Sequence, residues 1–158
     1  TLSSSSAASD VYKRQFMSRG NHWIIRKEVM PQHTDHAGVL WHGYYLNWLE
    51  EARIDALSKV GIKYIDLIKD GYEMPVVSIE IKYKSPILHG EEILIESEFV
   101  INESPRIKIN SNFIGRNNII TTSSSIDLVL INKENFSIVR KKPKFFLEAL
   151  NKLKNGPK

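Results

Sequence analysis

Residues 43–60 limit the fold of this chain more than any other segment. Apolar side chains return to one broad face of the segment with the 3.6-residue period of an α-helix, and neither Pro nor Gly interrupts it between Tyr44 and Val60. Gly61 follows, at a position where helices commonly end. The apolar positions of the face are Tyr45, Leu46, Trp48, Leu49, Ala52, Ile54, Ala56, Leu57 and Val60. The pattern predicts one amphipathic helix of about four or five turns.

The remaining apolar runs have the two-residue period of β-strands. Strands are predicted over residues 24–30, 76–83, 92–101, 106–114 and 119–131. A turn predicted at residues 115–118 joins the last two, so the last three runs should form an antiparallel meander. Residues 65–70 predict a short helical turn. Pro143 precedes a second predicted helix at residues 144–153, because Pro is tolerated where a helix begins.

The order of elements is therefore strand, long helix, four strands and short helix. One long helix against one antiparallel sheet is an α+β two-layer domain. A single long helix wrapped by a curved sheet of about five strands is the hotdog arrangement. We expect this fold for one domain spanning residues 21–154. Edge strands of such an open sheet commonly pair across a dimer.

Residues 1–20 differ in composition from the rest of the chain. The first ten are rich in Ser and Ala, and the stretch lacks the basic start and apolar centre of a signal peptide. We expect residues 1–20 to be a disordered leader, and a cloning or read-through origin would explain their composition. Met17 is then the expected natural start.

The overall composition excludes several classes of function. The chain has 158 residues, which suits one domain, and no cysteine, which rules out disulfides, thiolate metal sites and a cysteine nucleophile. The net charge of +4 suits an anionic partner such as the phosphates of coenzyme A. No basic stripe is interleaved with aromatic residues, so nucleic acid is not an expected partner. No apolar run is long enough for a membrane span. The absence of cysteine fits a reducing cytoplasm, which is the expected location.

Chemically versatile side chains are concentrated just before the long helix, where His33, Asp35, His36 and His42 lie within ten positions. A helix N-terminus presents N–H groups that stabilise an oxyanion forming on a thioester carbonyl. A nearby carboxylate can attack that carbonyl or activate a water to attack it. The spacing alone, however, favours a simpler interpretation, in which Asp35 only accepts a backbone N–H within its own turn.

The sequence TDHAGVLWHGYYLNWLEEAR at residues 34–53 resembles the 4-hydroxybenzoyl-CoA thioesterase family. That family includes acyl-CoA thioesterases linked to the Tol-Pal system and dihydroxynaphthoyl-CoA thioesterases. With the order of elements, the resemblance covers about residues 22–150. It implies hydrolysis of an acyl-CoA or aryl-CoA thioester to the free acid and coenzyme A. It implies no metal and no cofactor.

The resemblance also assigns roles to individual residues. Asp35 matches the catalytic carboxylate, acting as nucleophile or general base. His42 matches the residue whose backbone N–H is the oxyanion donor, and Tyr45 matches the helix tyrosine near the acyl pocket. We further assign Gly38, Trp41 and Glu50 to substrate binding.

Two positions depart from the family pattern. His33 stands where the family has an Asp two residues before the catalytic one, which affects the hydrogen bonding of the loop. Tyr44 stands where Asn or Ser is common, and its bulk would reshape the acyl pocket.

Other interpretations are kept open. A hotdog hydratase or dehydratase would pair a carboxylate with His33 or His36, and a non-catalytic domain would bind an acyl thioester without cleaving it. The histidine spacing matches no zinc pattern, and the chain has no Gly-x-Ser-x-Gly elbow of a serine hydrolase. The acyl group, the choice between coenzyme A and an acyl carrier protein, and the choice between homodimer and homotetramer stay open.

Overall fold

The computed structural model describes residues 21–157, so the predicted leader at 1–20 lies outside the described residues. The strands are β1 (Trp23–Glu28), β2 (Tyr72–Glu73), β3 (Val76–Tyr83), β4 (Glu92–Ile101), β5 (Arg106–Ile114), β6 (Ile120–Val129) and β7 (Ile131–Asn132). The helices are α1 (His42–Lys59), α2 (Tyr64–Lys69) and α3 (Lys144–Asn155). Short 3₁₀ turns lie at Pro31–His33 and Arg116–Asn118.

Five of the strands form one antiparallel sheet in the order β1-β4-β5-β6-β3. The predicted meander is confirmed, because β4, β5 and β6 are consecutive neighbours. β3 pairs with β6 and so occupies the edge of the sheet opposite β1. β2 and β7 form a separate two-stranded ribbon that the sequence pattern does not predict. One long helix on this five-stranded sheet is the hotdog fold, as expected.

The predicted helix is confirmed, and two of its positions differ from the predicted pattern of burial. Tyr45, Trp48, Leu49, Ala52, Ala56 and Leu57 are buried. Leu46 is 46% exposed, although its direction around the helix lies between those of the buried Arg53 and Leu57. Arg53 is only 4% exposed, although it is charged. Its Nη1 donates to the Met74 carbonyl at 2.9 Å, and its Nη2 donates to the Glu50 carboxylate.

The ends of the elements follow local hydrogen bonds. β1 ends at Glu28, two residues before the predicted end, and the Val29 N–H donates to the Glu91 carbonyl at 2.9 Å. α3 extends two residues beyond its predicted end and buries Phe146 and Leu150 among its core residues. The indole N–H of Trp23 donates to the Leu153 carbonyl at 2.9 Å, which ties this helix to the first strand.

β3 is an exposed edge of the sheet. Val77, Ile79 and Tyr83 each leave more than two fifths of their surface exposed. One long side of β3 has no strand beside it in the described chain, so its backbone groups are available for pairing. None of the described helices is both long and apolar enough to cross a bilayer.

Candidate active site

The loop before α1 is organised by Asp35. Asp35 Oδ1 accepts the Ala37 N–H at 2.8 Å and the Val39 N–H at 3.2 Å. The Asp35 N–H donates to the Val39 carbonyl at 2.9 Å, and the Gly38 N–H donates to the Asp35 carbonyl at 3.1 Å. Gly38 has a φ of 75°, which a glycine adopts without steric cost. Asp35 therefore does accept backbone N–H groups within its own turn, as the simpler interpretation of the sequence predicts.

The second carboxylate oxygen of Asp35 is not used in this turn. Within residues 21–157, Oδ2 accepts no hydrogen bond, and the side chain is exposed. Asp35 can therefore hold the loop with Oδ1 while Oδ2 keeps its lone pairs for another partner.

His33 anchors the start of the same loop. Its Nδ1 accepts the Met30 N–H at 3.0 Å, and its carbonyl accepts the Trp41 N–H at 2.9 Å. Its ring meets Tyr44 edge-on at 4.6 Å and Trp48 edge-on at 5.2 Å between ring centroids. The two residues that depart from the family pattern, His33 and Tyr44, thus pack against each other and fix the loop on α1.

The start of α1 presents free backbone donors. The helix begins at His42, and the N-cap residue Trp41 supplies no capping side chain. Neither the His42 N–H nor the Gly43 N–H donates a hydrogen bond within the described part of the chain. The Trp41 ring, 46% exposed, lies across Gly43, where an added Cβ would come within 2.0 Å of it. Gly43 therefore lets the ring cover the first turn.

A second segment, residues 83–89, faces the loop from the sheet. The Leu40 N–H donates to the Ile87 carbonyl at 2.8 Å, and the His89 N–H donates to the Gly38 carbonyl at 3.1 Å. The N–H groups of Lys84 and Ser85 both donate to the Thr121 carbonyl, which fixes the end of β3 on β6. These bonds hold the loop and the end of β3 side by side.

A groove of about 430 Å³ lies between the loop, the start of α1 and the end of β3. Its lining residues are Asp35, Val39, Leu40, His42, Tyr45, Tyr83, Lys84, Ser85 and Pro86. The structure therefore brings three predicted site residues together: Asp35, His42 and Tyr45. Tyr83 and Ser85 also line the groove, and no local sequence signal marks them for the site.

The other three predicted site residues lie outside this lining. Gly38 shapes the turn below Asp35, and the Trp41 ring packs on His42 at 4.8 Å between ring centroids. Glu50 is paired with Arg53 and lines a different groove, between α1 and β1. Their role in substrate binding stays a prediction.

Tyr45 forms the buried wall of the groove. Burial raises the pKa of its hydroxyl, a hydrogen-bonding contact with Thr122 lowers this pKa in part, and the neighbouring Tyr83 raises it. The Tyr45 ring lies between Tyr83, at 5.0 Å, and Phe113, at 5.1 Å. The hydroxyl is therefore neutral at physiological pH and can donate a hydrogen bond.

The described residues hold no group of three or more His, Asp or Glu side chains placed to bind a metal ion. The groove instead combines one carboxylate, one lysine, backbone N–H groups at a helix start and a buried phenol. Such a set of groups can activate a nucleophile and stabilise a developing oxyanion.

Residues 29–133 match the thioesterase-like superfamily. The chain belongs to this superfamily. The match includes the Asp35 loop, the whole of α1, the groove and all six strands from β2 to β7. Members of the thioesterase-like superfamily are therefore the appropriate reference for this site.

Individual relatives within the thioesterase-like superfamily agree with this placement. A candidate esterase from Synechocystis sp. is 32% identical over 146 residues, which cover 91% of this chain and 88% of that protein. A candidate acyl-CoA thioesterase from Bacillus subtilis is 34% identical over 76 residues, which cover 47% of this chain and 55% of that protein. The crystal structure of a DHNA-CoA thioesterase from Staphylococcus aureus has a TM-score of 0.74 at 28% identity, covering 82% of this chain and 89% of that chain.

Proposed function

We propose that the chain hydrolyses an acyl-CoA or aryl-CoA thioester to the free acid and coenzyme A, as in the 4-hydroxybenzoyl-CoA thioesterase branch of the superfamily. One observation carries this proposal. The Asp35 carboxylate, with one oxygen uncommitted, and the uncapped start of α1 at His42 line the same groove. A carboxylate and backbone donors around one cavity are what attack on a thioester carbonyl requires.

These groups can hydrolyse a thioester by either of two routes. As general base, Asp35 takes a proton from a water molecule whose oxygen bonds to the carbonyl carbon. The His42 N–H stabilises the oxyanion that forms. The C–S bond then breaks, the sulfur receives the proton, and the acid and thiol leave. As nucleophile, Asp35 would instead attack the carbonyl carbon and form a mixed anhydride as the C–S bond breaks, and the coenzyme A thiolate would leave and take a proton from water. Water would cleave the anhydride in a second step, which releases the acid and restores the Asp35 carboxylate.

Charge and size of the groove support a coenzyme A ester. The Lys84 ammonium group at the groove provides a cation for a phosphate of the carrier. The groove is within the size range of small-molecule sites. The Bacillus subtilis relative is named for acyl-CoA and the Staphylococcus aureus structure for DHNA-CoA, so coenzyme A is the proposed carrier in preference to an acyl carrier protein.

We also propose that the working form is a homodimer or homotetramer. The exposed edge of β3 carries unpaired backbone groups and the apolar side chains of Val77 and Ile79. Pairing of two such edges would cover this surface. It would also place a second copy beside Tyr83, which ends β3 at the groove.

The hydratase alternative depends on a histidine facing the carboxylate. His33 is committed to the loop through its Nδ1 and its ring packing, and His36 is exposed and does not line the groove. His42 is the histidine that lines the groove within the described residues, and hydrolysis uses its backbone N–H rather than its ring. These placements favour hydrolysis.

One set of assays separates the three functions. The full chain is incubated with acetyl-, butanoyl-, benzoyl- and 4-hydroxybenzoyl-CoA, and free thiol is measured with a thiol reagent. The same chain is incubated with crotonyl-CoA, and loss of the enoyl absorbance is measured. We expect thiol release from at least one ester. Loss of the enoyl group without thiol release would support the hydratase, and binding of an ester with neither reaction would support the non-catalytic domain.

A further inference from the structure

Residues 136–147, here called the basic segment, combine cations with exposed apolar side chains. The basic segment contains no acidic residue and four cations, at Arg140, Lys141, Lys142 and Lys144. Of the 22 Lys and Arg residues in the chain, the remaining 18 equal the 18 Asp and Glu residues, so the basic segment accounts for the whole net charge of +4. Four large apolar side chains of the segment each leave more than two fifths of their surface exposed: Phe136, Ile138, Phe145 and Leu147.

Three of the four cations have no partner in the described chain. The side chains of Arg140, Lys141 and Lys142 donate no hydrogen bond to residues 21–157 and form no ion pair with them. The Lys144 side chain is 92% exposed, and its Nζ lies 4.0 Å from a carboxylate oxygen of Glu148. Positive charges this close together, without acidic residues among them, attract an anionic surface and repel a second copy of the same segment.

Phe136 is held outwards by a strained turn. Its φ is 57°, in the left-handed region where Gly and Asn are tolerated and a bulky side chain is uncommon. The turn is fixed, because the Phe136 N–H donates to the Asn132 carbonyl at 2.9 Å and the Ser137 N–H donates to Asn135 Oδ1 at 3.0 Å. The Phe136 side chain is 73% exposed and so contributes little to the core. Backbone strain of this kind is concentrated at functional sites, which indicates a role for the ring outside the fold.

The start of the basic segment lies at the end of the sheet opposite the groove. A hairpin at residues 131–138 follows the end of β6, and the Val139 N–H returns to the Leu130 carbonyl at 2.8 Å. The groove lies near the other end of β6, where Thr122 pairs with Tyr83. Most of this ten-residue strand separates the two places, which corresponds to roughly 20 Å. A partner that binds the hairpin and the cations directly after it therefore leaves the groove open to substrate.

We propose that the basic segment binds the surface of an anionic lipid bilayer. Phe136 and Ile138 enter the boundary between headgroups and acyl chains, and the cations lie against the lipid phosphates. A bilayer surface offers negative charge and apolar volume side by side, whereas nucleic acid offers phosphates without an apolar volume for Ile138. This binding is peripheral, and it does not rest on the proposed function because it uses no residue of the groove.

Co-sedimentation of the full chain with lipid vesicles measures this binding. One set of vesicles is phosphatidylcholine, and the other contains about one part phosphatidylglycerol to three parts phosphatidylcholine. We expect the chain to bind the anionic vesicles at least about tenfold more tightly than the neutral ones. Raising the salt concentration from about 0.1 M to about 0.5 M should weaken the binding, because salt screens the attraction. Equal binding to the two sets, or binding to neither, would overturn the inference.

Two double variants separate the basic segment from positive charge in general. Lys141→Gln combined with Lys142→Gln should weaken binding to the anionic vesicles at least about fivefold. Arg26→Gln combined with Arg116→Gln is the matched control, since it removes the same charge at the groove end of the sheet. Both arginines are only loosely paired with a glutamate, at 3.8 and 3.7 Å. The control should bind within about twofold of the wild type, and an equal loss in the two double variants would contradict the assignment to the basic segment.

Phe136→Asn separates membrane insertion from a structural role of the ring. Asparagine tolerates the positive φ, so the midpoint of thermal unfolding should stay the same or rise, while vesicle binding should fall at least about threefold. Ile119→Asn, at a 55% exposed position in the turn at the groove end of the sheet, should leave vesicle binding unchanged. A folded Phe136→Asn chain that binds anionic vesicles as tightly as the wild type would overturn the inference. Tighter binding of the wild-type chain to a DNA duplex than to the anionic vesicles would also overturn it.

Discussion

Asp35 and Val39 are joined by two hydrogen bonds in opposite directions. The Asp35 N–H donates to the Val39 carbonyl at 2.9 Å, and the Val39 N–H donates to Asp35 Oδ1 at 3.2 Å. The same residue that is proposed to act on the thioester therefore also closes its own loop. The structural and catalytic roles of the carboxylate use different oxygens and can be separated by substitution.

Asp35→Ala and Asp35→Asn should differ in stability. Alanine removes the acceptor for the N–H groups of Ala37 and Val39, so the free energy of unfolding should fall by about 1 kcal/mol. Asparagine keeps an Oδ1 acceptor, so its unfolding free energy should stay within about 0.5 kcal/mol of the wild type. Urea unfolding followed by circular dichroism measures both. Equal destabilisation by the two substitutions would contradict the loop role.

His33→Ala should destabilise the loop more than substitution of the neighbouring histidine. It removes the acceptor for the Met30 N–H and the ring contacts with Tyr44 and Trp48, so a loss of about 1–3 kcal/mol is expected. His36→Ala, at an exposed position, should change stability by less than about 0.5 kcal/mol. Chemical unfolding of the two variants side by side tests this, and matching midpoints would refute it.

Arg53→Met should destabilise the chain by about 1–3 kcal/mol, because the Met74 carbonyl then loses its donor and Glu50 loses its ion-pair partner. Lys59→Met is the matched control on the same helix. Its pair with Asp55 is exposed, and such pairs contribute at most about 1 kcal/mol. If both variants lose the same small amount of unfolding free energy, the buried hydrogen bond of Arg53 does not stabilise the fold more than an exposed ion pair does.

Ile79→Glu should weaken self-association through the β3 edge. Sedimentation velocity of the wild-type chain should give a dimer or a tetramer, and the variant should shift towards the monomer because a charge on the pairing edge opposes burial. Ile65→Glu, at an exposed position on α2, should leave the distribution unchanged. A monomeric wild-type chain at micromolar concentrations would contradict the proposed assembly.

Periodicity and end signals predicted most of the fold. The 3.6-residue period gave the long helix to within one residue at each end, and alternation predicted the meander of β4, β5 and β6. These features could be predicted because the spacing of apolar and polar residues along a segment indicates which of its side chains are buried. The burial of Arg53 was not predictable in this way, because the carbonyl that it bonds, on Met74, is 21 positions away.

The candidate site was predicted from one side only. The loop and the helix start lie in one continuous segment, so Asp35, His42 and Tyr45 could be grouped from sequence. The opposite side comes from the end of β3, which reaches the groove because β3 pairs with β6 at the sheet edge. Tyr83 meets Tyr45 only through that pairing, and nothing in its local sequence predicts the contact.

Thiol release by the Asp35→Asn variant tests whether the Asp35 carboxylate is needed for hydrolysis. The variant keeps the loop acceptor and loses the negative charge, so circular dichroism and thermal unfolding should match the wild type. We expect a fall in kcat/KM of at least about 100-fold on the best coenzyme A ester, since general-base catalysis alone contributes that much. A correctly folded Asp35→Asn chain that releases thiol at the wild-type rate would contradict the assignment of Asp35.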